Sequence, residues 1–375
     1  MKLHIGREIK YSYCQLKMER TFHPVGQGAF YTEVFYDRDC NQLSVVYDCG
    51  SNRPEVDRIN CINKFRREYL RGRDSEIDLL FISHFHADHI NGLEQLLEGV
   101  NVGRTVIPML SDEILLLTRV TNYLTYGERA EEADLIIREL YFQEGRGRFG
   151  DVRGVAPAMY ENELSNNNVN RFPRSSPIRS GEKIPFVEGL WEYVPFNSVP
   201  LTDSRAVEFK ERLAEIDGDV KYQEKLKIGE LIKKHREEIK MLYRDVMKYA
   251  NDNLYTLVVK SSQVDGVQVD PDPFLARCLY MGDYYPTKES WHRLTNTFSC
   301  DKIGTIQVPH HGSRKNFRDE LLKVQNKKFL ISVGSKNPSH HPDFWLVKKI
   351  CDTGSLVQVV SEDPGSIYKR NYSIY

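Results

Sequence analysis

The sequence contains few of the residues that build disulfide-rich or thiolate-bound zinc proteins. Its 375 residues include seven cysteines, an odd number at wide spacing, and no Cys-x-x-Cys pair occurs. This pattern disfavours a disulfide framework and a cysteine zinc site. We therefore expect reduced thiols and a cytoplasmic location.

Long apolar runs and an excess of one charge are also lacking. No stretch approaches the ~20 apolar residues of a bilayer-spanning helix, and the N-terminus has no apolar stretch of signal-peptide length, so we expect no membrane association. The 52 basic and 53 acidic residues leave a net charge of -1. This balance removes the whole-chain argument for a nucleic-acid binder, although a local basic groove stays open.

Strand and helix patterns alternate in blocks along the chain. Strand patterns dominate up to residue 83 and return after residue 254, with helical patterns between them. These blocks predict a single layered α/β domain over residues 1–375, with an irregular and helical insertion at 111–177 and a helical hairpin at 203–250. An apolar stripe from Ile228 to Tyr249 must be covered by the core or by another chain, so we expect a protein partner or a homo-oligomer contact at 203–250.

Three histidines and an aspartate cluster where a predicted buried strand, residues 77–84, gives way to a helix. They are His84, His86, Asp88 and His89. Neutral imidazole and carboxylate are the preferred non-thiol ligands of zinc and similar ions. A strand-to-helix turn lets side chains at this spacing converge, so the cluster predicts a metal site.

Two later strands also end in ligand-type residues. One ends in Gly282-Asp283, and the other in the segment Pro309-His310-His311-Gly312-Ser313. An isolated aspartate after a strand is usually a turn former, and a histidine pair is often on the surface. Their order after the first cluster is what makes them candidates.

Taken in this order, the motifs resemble the metallo-β-lactamase fold, and within it the soluble hydrolase domain of ComEC-type competence proteins. The similarity includes Val25-Gly26-Gln27-Gly28, Asp48 at a strand end, the cluster from His84 to His89, Gly282-Asp283 and the His-His-Gly-Ser segment. It implies a four-layer αβ/βα sandwich with helical insertions.

The resemblance also implies a two-metal site. His84 and His86 would hold the first ion, Asp88 and His89 the second, and Asp283 would bridge them, with Asp88 and Asp283 also acting in catalysis. His310 or His311 would complete the second site, and we favour His310. Asp48 would orient a ligand histidine from beneath. The expected cofactor is one or two divalent ions, with zinc preferred and manganese as the alternative.

One family feature is missing. Many members place a further histidine on the first ion, but the corresponding strand, Trp191 to Asn197, contains none. His235 lies on the apolar stripe of a predicted helix and is expected to be a packed histidine. The first site would then be weaker, completed by water or occupied by manganese, and a single-metal enzyme stays open.

The implied activity is hydrolysis by metal-bound hydroxide, with a phosphodiester in a nucleic acid or nucleotide as the preferred substrate. Candidate substrate-binding residues flank the metal motifs or lie in an Arg- and Asn-rich segment: Ser313, Lys336, Asn337, His341, Arg171 and Arg174. Two alternatives remain. One is a hydrolase of a lactone, thioester or phosphonate ester, and the other is a metal-bound interaction module with little turnover.

Overall fold

The protein is described by a computed structural model over residues 16–38, 42–52, 55–70, 76–142, 147–158, 177–197, 203–221, 227–247, 255–337 and 340–375. Two β-sheets pack face to face in these ranges, and helices cover the outer face of each sheet. The predicted four-layer α/β sandwich is confirmed.

The first sheet has nine strands in the order β11-β16-β1-β2-β3-β4-β5-β6-β7. Strands β3 to β7 are parallel to one another, whereas the pairs β11–β16, β16–β1, β1–β2 and β2–β3 are antiparallel. The strands of this sheet are β1 (Leu16–Phe22), β2 (Gly28–Tyr36), β3 (Gln42–Ser51), β4 (Glu76–Phe81), β5 (Asn101–Pro108), β6 (Asp151–Ala156), β7 (Ile178–Arg179), β11 (Val269–Asp270) and β16 (Tyr368–Ile374).

The second sheet has seven strands in the order β15-β14-β13-β12-β10-β9-β8, and β12 to β15 are parallel. Its strands are β8 (Ile184–Val187), β9 (Trp191–Asn197), β10 (Leu257–Gln263), β12 (Cys278–Tyr280), β13 (Thr305–Gln307), β14 (Lys328–Ser332) and β15 (Leu356–Val360).

Ten α-helices of the described ranges complete the layers. Several begin at side-chain caps, such as Ser111 before α4 and Asp343 before α10, which satisfy free N–H groups of the first turn. The helices are α1 (Glu55–Tyr69), α2 (Ala87–Ile90), α3 (Leu93–Leu96), α4 (Asp112–Tyr126), α5 (Ala130–Phe142), α6 (Ser204–Ile216), α7 (Ile228–Val246), α8 (Pro273–Ala276), α9 (Lys288–Thr297) and α10 (Phe344–Asp352).

The buried apolar side chains of the described residues form three cores, and successive residues of one strand pack into different cores. Along β9, Tyr193 packs into the core between the sheets, whereas the next residue, Val194, packs into the core beneath α9 and α10. A third core joins the outer face of the first sheet to α1–α7. Because successive side chains point to opposite faces of a strand, both faces of these central strands are apolar.

The helical hairpin at 203–250 is formed by α6 and α7. Its apolar stripe is covered by the chain itself, since Ile228, Ile239 and Leu242 are buried in the core shared with α4 and α6. The core therefore covers these residues of the stripe, which is one of the two possibilities that the sequence left open. Contact with a partner elsewhere on 203–250 stays a prediction.

The described part of the stretch 111–177 contributes helices and a strand to the layers of the sandwich. Helices α4 and α5 belong to the outer layer, and β6 extends the nine-stranded sheet beside β5, so the described part of this stretch is integral to the fold. Arg171 and Arg174 lie outside the described residues.

Two properties of the described residues concern membrane-spanning helices and cysteine thiols. In the part of the chain that the structure covers, no helix is both long and apolar enough to cross a bilayer. Cys49, Cys61, Cys278, Cys300 and Cys351 are all free thiols.

Candidate metal centre

The predicted ligands meet at the carboxyl ends of three strands. His84, Asp88 and His89 follow β4, Asp283 follows β12, and His311 follows β13. Although β4 belongs to one sheet and β12 and β13 to the other, these ends lie at the same edge of the sandwich. Ligand residues that are nearly two hundred positions apart in the sequence therefore form one cluster.

The first group consists of His84, His89 and Asp283, all buried. Nε2 of His89 lies 3.3 Å from Oδ1 of Asp283, and Nε2 of His84 lies 3.8 Å from Oδ2. Neither Nε2 atom has a hydrogen-bond partner. Buried nitrogens without a partner are costly, so these two atoms fit a bound cation.

The second group consists of Asp88, His89 and His311, and it is also buried. Nε2 of His311 lies 3.5 Å from Oδ2 of Asp88. In this group the structure brings His311, and not the favoured His310, to Asp88, while the choice between them as metal ligand stays a prediction.

Two further predicted ligands lie at the margin of these groups. The ring of His86 is 4.7 Å from that of His84, but within the described ranges His86 joins neither close group. Nε2 of His310 lies 3.9 Å from Oδ2 of Asp283, and its side chain is partly exposed. His310 thus borders Asp283 from the solvent side.

Asp48 is buried beside the cluster and contacts His89 and Ser83. Its Oδ2 accepts hydrogen bonds from Nδ1 of His89 at 2.8 Å and from the Ser83 hydroxyl at 2.6 Å. Because the Ser83 proton goes to Asp48, its oxygen accepts from Nδ1 of His84 at 2.9 Å. Nδ1 of each histidine therefore carries a proton, and Nε2 is the nitrogen that faces Asp283.

The histidine pair after β13 is oriented by the same principle. Nδ1 of His311 donates to the Ser332 carbonyl over 2.9 Å, which leaves Nε2 free to bind a metal. Nδ1 of His310 contacts Oδ1 of Asn316 at 3.1 Å, while the Asn316 amide nitrogen donates to the Asp283 carbonyl. Asn316 therefore fixes His310 beside Asp283.

Burial and neighbouring charges shift the pKa values of the histidines in the cluster. Burial lowers the pKa of His89, but the carboxylates of Asp283 and Asp48 outweigh it and raise that pKa well above the ordinary value. Burial, together with His89 and His86, lowers the pKa of His84 well below its ordinary value. The carboxylates therefore favour a proton on His89 at the position where a cation would sit.

Helix α4 contributes two residues that sequence reasoning missed. The Tyr126 hydroxyl donates to Oδ1 of Asp88 over 3.0 Å. One turn earlier, Asn122 donates to the Phe85 carbonyl at 2.6 Å and accepts from the Ala87 N–H at 3.2 Å. From β3, Asn52 donates to Oδ2 of Asp88 at 3.1 Å. The i, i+4 spacing of Asn122 and Tyr126 was the available signal for a shared face.

Backbone geometry is unusual at the site. Four of the five described non-glycine residues with positive φ lie here: Asp48, His310, His311 and His340. A side chain at Gly50 would come within 2.6 Å of the Asp88 backbone, and one at Gly282 within 2.7 Å of the Ser83 hydroxyl. Rare conformations and close approach are typical of functional sites.

The predicted substrate-binding residues have different surroundings. The Asn337 side chain stabilises the loop in which it lies. Its amide nitrogen donates to the carbonyls of Gly334 and His341, and its amide oxygen accepts from the His341 N–H. The His341 ring lies 5.7 Å from that of His310, Lys336 is exposed, and Ser313 is buried. Substrate contact by these residues stays a prediction.

Two charged side chains outside the two close groups form ion pairs with acidic residues. His235 contacts Asp217 and Glu238, as expected for a packed histidine. Arg148 pairs with Glu139 and Glu94. The guanidinium of Arg148 is therefore neutralised by its own chain.

Comparison with known proteins agrees with the architecture. Residues 41–155 match the family model described as the metallo-beta-lactamase superfamily. The chain carries the metallo-β-lactamase fold. That match spans β3 to β6 and includes the cluster from His84 to His89. A separate comparison with curated proteins found no significant match.

Several solved structures resemble the metallo-β-lactamase fold seen here. The fold protein YhfI from Bacillus subtilis is 9% identical, with 95% of this chain and 99% of that chain covered and a TM-score of 0.42. Zn²⁺-bound PqqB from Methylobacterium extorquens is 10% identical, with 95% and 99% covered and a TM-score of 0.41. Unliganded yeast PDE1 is 9% identical, with 96% and 99% covered and a TM-score of 0.43.

Proposed function

We propose that this protein is a metal-dependent hydrolase of phosphodiester bonds, acting on a nucleic acid or a nucleotide. The observation that carries the proposal is the pair of buried Nε2 atoms of His84 and His89, which lack partners and face the carboxylate of Asp283. The sequence resemblance to ComEC-type hydrolase domains points the same way, through the His-His-Gly-Ser segment.

The residues fit one or two divalent cations, with zinc preferred and manganese as the alternative. His84, His86 and Asp283 would hold the first, and Asp88, His89 and His311 the second, with Asp283 between them. Such ions would lower the pKa of a bound water to about 7 and so would supply a nucleophile at neutral pH.

The chain's own residues hold this arrangement in place. Asp48 and Ser83 accept the Nδ1 protons of His89 and His84, so Nε2 is the nitrogen that each histidine would offer to a cation. Tyr126 and Asn52 donate to the two oxygens of Asp88. Asp88 is thereby positioned to accept a proton from the attacking water.

Charge beside the cluster supports a phosphate substrate. Arg314 and Lys315 follow the histidine pair directly, both are exposed, and neither forms an ion pair with the residues described. A phosphodiester brings a negative charge that these cations would neutralise, whereas a neutral lactone or thioester would not use them.

Hydrolysis assays on the metal-loaded protein test the proposal. We expect turnover of bis-p-nitrophenyl phosphate and single-stranded DNA or RNA, and little turnover of lactone and thioester substrates. Asp88→Ala should lower turnover by about 10²–10⁴-fold, whereas Asp245→Ala, which removes an exposed carboxylate on α7, should not. Equal activity in parent and Asp88→Ala, or a preference for thioesters, would overturn the proposal.

A salt titration tests the role of the two cations. For a single-stranded substrate, losing one phosphate contact should flatten the slope of log affinity against log salt by about 0.7. We expect this for Arg314→Ala and Lys315→Ala, but not for Arg212→Ala on α6, whose guanidinium pairs with Glu208 and Asp245.

A further inference from the structure

Two large aromatic side chains stand exposed at the start of α10. Phe344 is 71% exposed and Trp345 is 61% exposed, and their rings form an edge-on pair with centroids 5.5 Å apart. The other two tryptophans, Trp191 and Trp291, are buried. Adjacent exposed aromatics on an otherwise polar surface mark a binding surface more often than chance.

This aromatic pair adjoins the metal centre through the chain that precedes it. The N–H of Asp343 donates to the Gly312 carbonyl over 3.0 Å, directly after the histidine pair. The His341 ring lies 5.7 Å from that of His310. Trp345 is four residues beyond His341, which is at most about 14 Å of chain. Since stacked nucleotides rise about 3.4 Å each, this distance corresponds to a few nucleotides.

Two cations near the aromatic pair have no ion-pair partner within the structure as described. Arg314 lines a cleft together with Trp345 and Phe317, and Lys315 is the next residue along the chain. Acidic residues line this cleft as well, and two of them are paired, Asp352 with Lys348 and Asp319 with Lys349. Arg314 and Lys315 are therefore the cations available to a phosphate backbone.

We propose that Phe344 and Trp345 form a stacking platform for the bases of a single-stranded nucleic acid whose backbone passes Arg314 and Lys315 into the metal centre. This inference rests on the proposed function and specifies its substrate class. Uncompensated cations beside exposed aromatic rings are the combination that single-strand binders use, because phosphates follow the charge and any base can stack. A purely apolar protein partner would leave the two cations without a counterpart.

Binding can be measured without turnover, on the full chain stripped of metal by chelator. The probes are a short labelled oligothymidylate and an abasic strand of equal length, followed by anisotropy. We expect the parent to bind oligothymidylate more tightly than the abasic strand, with quenching of the exposed Trp345 emission. Trp345→Ala and Phe344→Ala should each weaken oligothymidylate binding on the order of tenfold to a hundredfold. Trp345→Phe should retain much of the affinity and lose the quenching.

Leu356→Ala is the matched control, because Leu356 is equally exposed on the edge strand β15. It should bind like the parent. Equal binding of the base-bearing and abasic strands, no binding of either, or parent-like affinity in both aromatic variants would overturn the proposal. So would a change of oligomeric state on Trp345→Ala in light scattering, which would assign the pair to a protein interface. Base-dependent binding by a protein that hydrolyses no phosphodiester when metal-loaded would instead overturn the proposed function alone.

Discussion

The hydroxyl of Tyr126 donates a hydrogen bond to Oδ1 of Asp88 over 3.0 Å. Tyr126 ends α4, in a part of the chain with no recognisable motif, whereas Asp88 belongs to the histidine cluster. Burial and the Asp88 carboxylate both raise the pKa of Tyr126, so its hydroxyl remains a donor at neutral pH. The outer helical layer therefore positions a predicted metal ligand.

Removing this hydroxyl should weaken the site without removing a ligand. We expect Tyr126→Phe to lower metal affinity or kcat by about 10–100-fold, as is typical when a group that orients a metal ligand is lost. Metal titration and steady-state kinetics would measure it. Tyr123→Phe removes a hydroxyl one turn earlier on α4 and is the control; identical behaviour of the two variants would show that the Tyr126 contact has no role.

The Asp48 carboxylate offers a second test of ligand orientation. Asp48 has a φ of 55°, a conformation that asparagine tolerates, so Asp48→Asn should fold. Its amide would turn an N–H toward Ser83 or His89, both of which need an acceptor. We expect metal affinity to fall by about 10–100-fold, with unchanged circular dichroism. Full metal affinity in this variant would contradict the orienting role.

The two neighbouring histidines should behave differently. His311→Ala removes a buried group from Asp88 and should abolish the second metal-binding event in calorimetric titration. His310→Ala should leave that event in place, because His310 borders Asp283 from the solvent side. If His310→Ala loses the second event and His311→Ala keeps it, the assignment is reversed.

Metal binding should depend on pH through His89. Despite the opposing effect of burial, Asp283 and Asp48 raise its pKa in the metal-free protein, so a cation must displace a proton. Apparent affinity should therefore fall as pH is lowered, by about tenfold per unit for each proton displaced. Calorimetry in buffers of different ionisation enthalpy would count the released protons, and a count of zero at neutral pH would contradict the protonated state.

The sequence predicted the sandwich and the region of the site for a physical reason. Strands that are apolar on both faces, and that end in His84, Asp283 or the histidine pair, carry their ligands to the carboxyl ends of the strands. These ligand residues lie within a few positions of a strand end, so they can be recognised from a short stretch of sequence without knowledge of the tertiary structure.

Other features depended on long-range packing and could not be read in this way. His310 and His311 are adjacent and both have a positive φ, so their local conformation does not show which one reaches Asp88. Tyr126 reaches Asp88 from a separate helix. The apolar stripe of α7 showed that a face is buried, but not that α4 and α6 bury it. Each of these outcomes is set by contacts between segments distant in sequence.

The central claim is that these histidines and aspartates form a metal centre. Elemental analysis of zinc- or manganese-loaded protein after dialysis against a mild chelator tests it most directly, with Asp283→Ala alongside. The account predicts one to two ions per chain in the parent, lost stepwise with one site clearly tighter, and loss of tight binding in the variant. A parent protein that stays metal-free at every zinc and manganese concentration would contradict the account.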